Sequence, residues 1–204
     1  MIAIIDYGVG NLYSLTCSLK HIGMEGVVTR DAETLRQADK IILPGVGAFG
    51  DAADKLHGFG LDSLVKEQAA LGKPLLGICL GMQLLFDKSF EYGEHEGLGL
   101  IHGHVESMAP YVGERKVPHM GWNSLDIQKP DDPLLKGIEQ GAFVYFVHSF
   151  YAADCDEALV ATAQYGIPLT AIVRNKNVAG TQFHPEKSGE IGLKILTNFA
   201  KGVQ

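Results

Sequence analysis

The chain has 204 residues, 46% hydrophobic and 20% charged, with 17 basic against 24 acidic side chains and a formal net charge of −7. That length suffices for one domain with a sizeable core, and the acidic balance excludes a broad nucleic-acid or anionic-membrane surface. Three cysteines, Cys17, Cys79 and Cys155, cannot all pair, and their scatter fits neither a disulfide framework nor a zinc pattern, so a reducing compartment is expected.

The first run, Met1-Ile2-Ala3-Ile4-Ile5, is far too short for a signal h-region or a spanning helix, and a cytoplasmic location follows as the expectation. Residues 2–7, 40–44 and 74–79 are continuous apolar runs bounded by Gly or Pro, the pattern of strands buried on both faces. Helical spacing links Leu12, Leu15, Leu19 and Ile22 ahead of Gly23, and Leu61, Leu64, Val65 and Ala69 ahead of Gly72-Lys73-Pro74. Strand–helix–strand alternation predicts an α/β fold with a mostly parallel central sheet flanked by helices.

From about residue 97 the texture changes. Residues 98–105, 117–127, 143–151, 160–164, 169–174 and 178–183 read as shorter strands of an antiparallel or mixed extension, with Asn175-Lys176-Asn177 as a hairpin turn. A last helix opens at Ser188, carries Ile191, Ile195, Leu196 and Phe199 on one face, and closes at Lys201-Gly202. No linker or repeat divides the sequence, so residues 1–204 are expected to form a single domain.

The chemistry concentrates in two segments. Cys79 stands where an apolar strand breaks into a helix, between Gly77 and Gly81 at the spacing of a Gly-x-nucleophile-x-Gly elbow. A helix N-terminus favours a thiolate, whereas a buried core cysteine would sit within a strand and not at its end. Gln83 falls one helical turn on, awkward in a pure core and sensible in a substrate pocket. The second segment is His184-Pro185-Glu186. Pro185 restricts His184 to extended backbone, and two residues apart on an extended segment share a face, so Glu186 can orient His184. Nucleophile, base and orienter suit covalent acyl transfer.

Gly45-Val46-Gly47 after Pro44 is a tight turn whose backbone freedom could aim an N–H at a developing oxyanion, with a second N–H from Leu80. Asp6-Tyr7-Gly8-Val9-Gly10-Asn11 resembles a dinucleotide fingerprint but has Tyr13 where Gly is needed, so no such cofactor is expected; no metal site is expected either. Trp122, within Val117-Pro118-His119-Met120-Gly121-Trp122-Asn123, reads either as a buried core residue or as part of a partner surface.

These motifs together resemble the class I, triad-type glutamine amidotransferases, whose fold is flavodoxin-like. The Pro44-to-Gly47 loop and the 117–123 stretch resemble the branch that serves imidazole glycerol phosphate synthases in histidine biosynthesis. The resemblance implies Cys79 as nucleophile, His184 as general base and acid, and Glu186 as orienter. It implies glutamine-binding roles for Gln83 and Glu91, a substrate-facing backbone at His148, Ser149 and Phe150, and an oxyanion role for the Gly45-Val46-Gly47 backbone. It also implies that Asn11, Pro118, Met120 and Trp122 face a partner, a (β/α)₈-barrel cyclase subunit receiving ammonia. Alternatives are the glutaminase of another pathway, such as purine, pyridoxal phosphate or anthranilate synthesis, a cysteine hydrolase of peptides or esters, and a binding module that keeps the motifs without the activity.

Overall fold

The computed structural model describes residues 1–202. The first half runs β1 (Ile2–Ile5), α1 (Leu12–His21), β2 (Gly26–Thr29), α2 (Ala32–Gln37), β3 (Lys40–Leu43), α3 (Phe49–Gly58), α4 (Leu61–Ala70) and β4 (Leu75–Ile78). The apolar runs become strands because both faces are covered. Ile2 and Ile4 point into one core layer while Ala3 and Ile5 point into the other, the period of two that a pleated strand imposes. Three elements lie outside the sequence expectation. β2 is only half-buried, α2 is a short helix capped by Asp31, whose Oδ1 accepts from the Thr34 N–H at 2.8 Å, and α3 directly follows the glycine-bearing loop.

The second half runs α5 (Leu80–Gln83), β5 (Phe86–Ser89), β6 (His95–Glu96), β7 (Ile101–Ser107), β8 (His119–Ser124), β9 (Asp126–Ile127), β10 (Phe143–His148), β11 (Phe150–Ala153), β12 (Leu159–Tyr165), β13 (Ile167–Asn175), β14 (Val178–Thr181) and α6 (Gly189–Gly202), with 3-10 turns at Pro133–Leu135 and Pro185–Lys187. The main sheet has the order β2-β1-β3-β4-β14-β13-β12-β9. From β2 to β14 every pair is parallel, and the last three pairs are antiparallel, the expected extension continuing the same sheet. β5, β6, β7 and β11 make a second sheet, and β8 with β10 a two-stranded ribbon.

Two segments expected as single strands are each divided between sheets. Residues 143–151 break at Ser149 into β10, paired with β8, and β11, paired with β7. Residues 117–127 break at Leu125 into β8 on the ribbon and β9 on the edge of the main sheet. Such a switch leaves no mark on hydrophobic alternation. α6 covers one face of the sheet with Ile195, Leu196 and Phe199, as its periodicity predicts. Among the described residues no helix is long and apolar enough to cross a membrane.

Candidate active site

β4 and β14 are neighbours, with Ile78 opposite Thr181, and the candidate residues emerge beyond their carboxyl ends. Cys79 has φ 55° and ψ −113°, a left-handed conformation that is strained for a side chain bearing Cβ. The elbow is held by its two glycines. A Cβ on Gly77 would lie 2.6 Å from the Gly81 carbonyl, and one on Gly81 would collide with the Leu43 carbonyl. The turn exposes the thiol at the start of α5, where the Met82 and Gln83 N–H groups bond back to the Cys79 carbonyl at 3.0 and 3.2 Å.

His184 Nδ1 lies 2.9 Å from Glu186 Oε1, and both side chains are almost fully buried, 2% and 3% exposed. The local backbone differs from the expectation. His184 is extended, but Pro185 starts a 3-10 turn in which the Ser188 N–H bonds to the Pro185 carbonyl, so Glu186 reaches the imidazole by curling back, not along a strand. Ser188 likewise locks this turn and does not use its side chain to cap α6: its Oγ donates to the His184 carbonyl at 2.7 Å and accepts from the Tyr145 N–H at 2.9 Å.

Burial disfavours the charged imidazole, but the Cys79 sulfur and the Glu186 carboxylate outweigh it and hold the His184 pKa up to about 10. The Cys79 sulfur acts on His184 from outside normal hydrogen-bond geometry, and His184 Nε2 is left without a formed partner. The sulfur does receive the Gln182 amide, whose Nε2 is 3.8 Å away. Gln182 is completely buried and is not singled out by sequence; its position at the head of the Gln182-Phe183-His184-Pro185-Glu186 run, directly after β14, is the signal that could have found it.

A cavity of about 330 Å³ opens over Cys79 and His184, lined also by Val46, Gly47, Leu80, Gln83, Glu91 and residues 147–150. All the expected substrate-side positions except Gly45 therefore meet in one place. Gly45 lies just behind, where a Cβ would come 2.7 Å from the Gly81 N and 2.9 Å from the Tyr7 hydroxyl, which itself donates to the Pro44 carbonyl at 2.7 Å. Gly47 has φ 97° with open space around it, so this loop is free to turn. Glu91 Oε2 accepts from the Phe49 N–H at 2.7 Å, and burial pushes its pKa up. Pro118, expected at a partner surface, is exposed and also lines the cavity.

Met120 and Trp122 are 62% and 55% exposed on β8, so the buried reading of Trp122 is set aside. Trp122 packs edge-on against Tyr145, ring centroids 6.2 Å apart, and the Tyr145 carbonyl accepts from the His184 N–H at 3.0 Å. Asn11 lines a small cavity with Pro44, Gly45, His184 and Glu186, so Asn11 and Trp122 both lie near the His184–Glu186 turn. Two clefts of about 430 Å³ lie elsewhere; in the one lined by Cys155 and His102 the thiol pairs with the Thr170 hydroxyl at 3.7 Å and has its pKa pushed up by burial, while His102 Nδ1 lies 2.9 Å from Asp87. Among the described residues no group of three or more His, Cys, Asp or Glu side chains is placed to hold a metal ion.

A strained cysteine elbow on a parallel sheet, with a carboxylate-held histidine on the same open cavity, is the arrangement that cysteine-type acyl transfer requires. The chain belongs to the glutamine amidotransferase class-I family, whose model matches residues 3–203. It is 49% identical over 205 residues, covering all of both chains, to the imidazole glycerol phosphate synthase subunit HisH of Oceanobacillus iheyensis. It is 50% identical over 199 residues, 98% of this chain and 94% of the other, to the subunit of that name from Listeria monocytogenes. Among solved structures it is similar to PurLQS from Thermotoga maritima, with TM-score 0.76 and 22% identity over all of this chain and 98% of that one. A solved glutamine amidotransferase gives TM-score 0.75 at 20% identity over 98% of this chain and all of the other. At such identities the structural likeness speaks for the fold alone.

Proposed function

We propose that the chain hydrolyses glutamine to glutamate and ammonia as the glutaminase subunit of a cytoplasmic imidazole glycerol phosphate synthase, passing the ammonia to a (β/α)₈-barrel cyclase subunit. The observation that carries the chemistry is the convergence of Cys79, His184 and Glu186 on one cavity, with His184 Nδ1 held 2.9 Å from Glu186. Full-length identity of about one half to relatives named as that synthase's subunit supports the pathway over the purine, pyridoxal phosphate and anthranilate alternatives.

The sulfur of Cys79 attacks the side-chain carbonyl carbon of glutamine, and the C=O pair moves onto oxygen. The Val46, Gly47 and Leu80 backbone bordering the cavity supplies N–H groups for that oxyanion. His184, favoured in its protonated form beside the sulfur, gives its proton to the departing nitrogen; the C–N bond breaks and ammonia leaves a γ-glutamyl thioester. His184 then takes a proton from water, the resulting hydroxide adds to the thioester carbonyl, and the C–S bond breaks to give glutamate and the free cysteine. Gln83 and Glu91 line the cavity where the substrate's amino-acid end is held; Glu91 supplies a carboxylate for its ammonium group.

The test is glutamate release with and without the cyclase subunit and its ribulosyl phosphate substrate. Release that rises with the cyclase and matches imidazole glycerol phosphate formed is the expected result. No release in the assembled complex, or cleavage of peptides or esters in preference to glutamine, overturns the reading.

A further inference from the structure

A line of side chains runs from the exposed ribbon strand β8 into the substrate cavity, and its polarity is fixed at both ends. Asn123 Oδ1 accepts from the Ser124 N–H at 2.8 Å, and Asn123 Nδ2 donates to the Gln164 carbonyl at 3.0 Å. That amide nitrogen, 3.2 Å from His119 Nε2, can only donate, so Nε2 accepts and the His119 proton sits on Nδ1. At the other end the Phe150 carbonyl, 2.8 Å from His148 Nδ1, can only accept, so His148 also carries its proton on Nδ1. His148 Nε2 is then an acceptor, and His119 Nδ1–H donates to it across 3.0 Å. Burial holds both imidazoles neutral, with pKa values lowered to about 4 for His119 and about 3 for His148.

The Phe150 carbonyl takes a second hydrogen bond, from Gln83 Nε2 at 3.1 Å, and the same Nε2 donates to Gln182 Oε1 at 3.0 Å. Both amide hydrogens of Gln83 are thereby used, which leaves its Oε1 as the group able to accept from a substrate in the cavity. His119 itself does not line the cavity. Its ring is stacked between Phe146 and Tyr165, at centroid distances of 4.7 and 4.2 Å.

We propose that His119 is a positioning residue for glutamine: its Nδ1–H holds the His148 ring by Nε2, and through the His148 Nδ1–H and the Phe150 carbonyl this sets the Gln83 amide in the substrate cavity. The proposal rests on the glutaminase reading. Without the His119 donor, His148 Nε2 is a buried acceptor without its partner, and the ring is free to tilt and draw its Nδ1–H away from the Phe150 carbonyl. That carbonyl would shift, and Gln83 with it. The effect falls chiefly on glutamine binding, because Gln83 lines the cavity while the His184–Glu186 pair keeps its hydrogen bond.

Two substitutions separate hydrogen bonding from packing. His119→Asn keeps an amide donor near the Nδ1 position and loses the stacked ring, whereas His119→Phe keeps the ring and loses the donor. In the complex with the cyclase, His119→Phe is expected to raise the KM for glutamine about tenfold with kcat within about twofold, and His119→Asn to stay within about threefold of the parent in both. Nitrogen-15 NMR of the uncomplexed chain should show the His148 proton on Nδ1 in all three proteins, with Nε2 as a hydrogen-bonded acceptor in the parent and in His119→Asn and as a non-hydrogen-bonded one in His119→Phe. Asn123→Ala, which releases His119 Nε2, should move both readouts less but in the same direction, and stands in if His119→Phe fails to fold. The reverse order, with Phe tolerated and Asn not, makes His119 a packing residue and overturns the proposal, as does an unchanged His148 Nε2 resonance in His119→Phe and Asn123→Ala. A parent complex that releases no glutamate would defeat the glutaminase reading, while the Nε2 measurement would still decide whether His119 holds His148.

Discussion

The Cys79 N–H donates to the Thr181 carbonyl at 2.7 Å. This bond carries the ladder between β4 and β14 one residue past the last strand pair, so the proposed nucleophile and base leave the sheet together. From there the chains diverge: Cys79 turns left-handed into α5, and residues 182–184 lead to the 3-10 turn that brings Glu186 against His184. The spacing of thiol and imidazole is therefore set by strand pairing, the most rigid part of the fold, and not by loops.

Cys79→Ala should lower glutamine turnover by at least about 10⁴-fold while leaving the fold intact, since the covalent route is lost with a small side chain. Cys79→Gly should be equally inactive but more stable than Cys79→Ala by about 1 kcal/mol, because glycine accepts φ 55° without strain. Steady-state assays and denaturant titrations measure the two effects. Equal stability of the two variants would contradict the strained elbow. Cys17→Ala and Cys155→Ala should stay active, for neither lines the Cys79 cavity.

Glu186→Gln removes a charge that raises the His184 pKa, so that pKa should fall from about 10, read by NMR titration of the imidazole. The sign for stability follows. A group whose folded pKa is raised from 6.5 to about 10 contributes fully below pH 6.5 and loses that contribution as pH rises through about 10. Stability of the parent should therefore decline across that window, and Glu186→Gln should flatten the decline. A slope unaltered by the substitution would show that Glu186 does not hold the imidazolium.

The Pro44-to-Gly47 loop is proposed to act through its backbone. Gly47→Pro cannot adopt φ 97° and lacks the N–H, so kcat should fall about 10²-fold or more. Val46→Ala should change kcat less than about threefold, since the Val46 side chain is 41% exposed and its contribution lies in its amide. The opposite order in a kinetic comparison would refute a backbone role.

The exposed pair Met120 and Trp122 is the proposed docking point for the cyclase. Trp122→Ala should weaken association by about 2 kcal/mol or more, measured by titration calorimetry, with little change in the Tm of the free chain. A lone glutaminase would waste glutamine, and the open Gly47 loop has room for more than one backbone state, so the free chain should be nearly silent. A thousandfold activation by the cyclase requires about 4 kcal/mol of preferential binding to the productive state. Full activity of the isolated chain, unchanged by the cyclase, would contradict this.

Much of the site was legible in the sequence because its chemistry is written in short runs. Gly77 to Gly81 specifies an elbow through glycines that no other residue could replace, and Pro185 fixes the backbone entry to Glu186. What stayed hidden depends on neighbours distant in sequence. The breaks at Ser149 and Leu125 move a strand between sheets without altering its alternation. β2 is short and only half-buried at a sheet edge, so its Gly26–Thr29 run lacks the all-apolar signature of β1. His119 was passed over beside Trp122, although strict alternation on β8 already puts 119 and 123 on the face opposite Met120 and Trp122.

The most direct test of the central claim is mass spectrometry of the complex, quenched in acid during turnover of glutamine. The account predicts a γ-glutamyl adduct on the peptide containing Cys79, formed before glutamate appears and absent from Cys79→Ala. Turnover with no adduct on Cys79, or with the adduct on another residue, would contradict it.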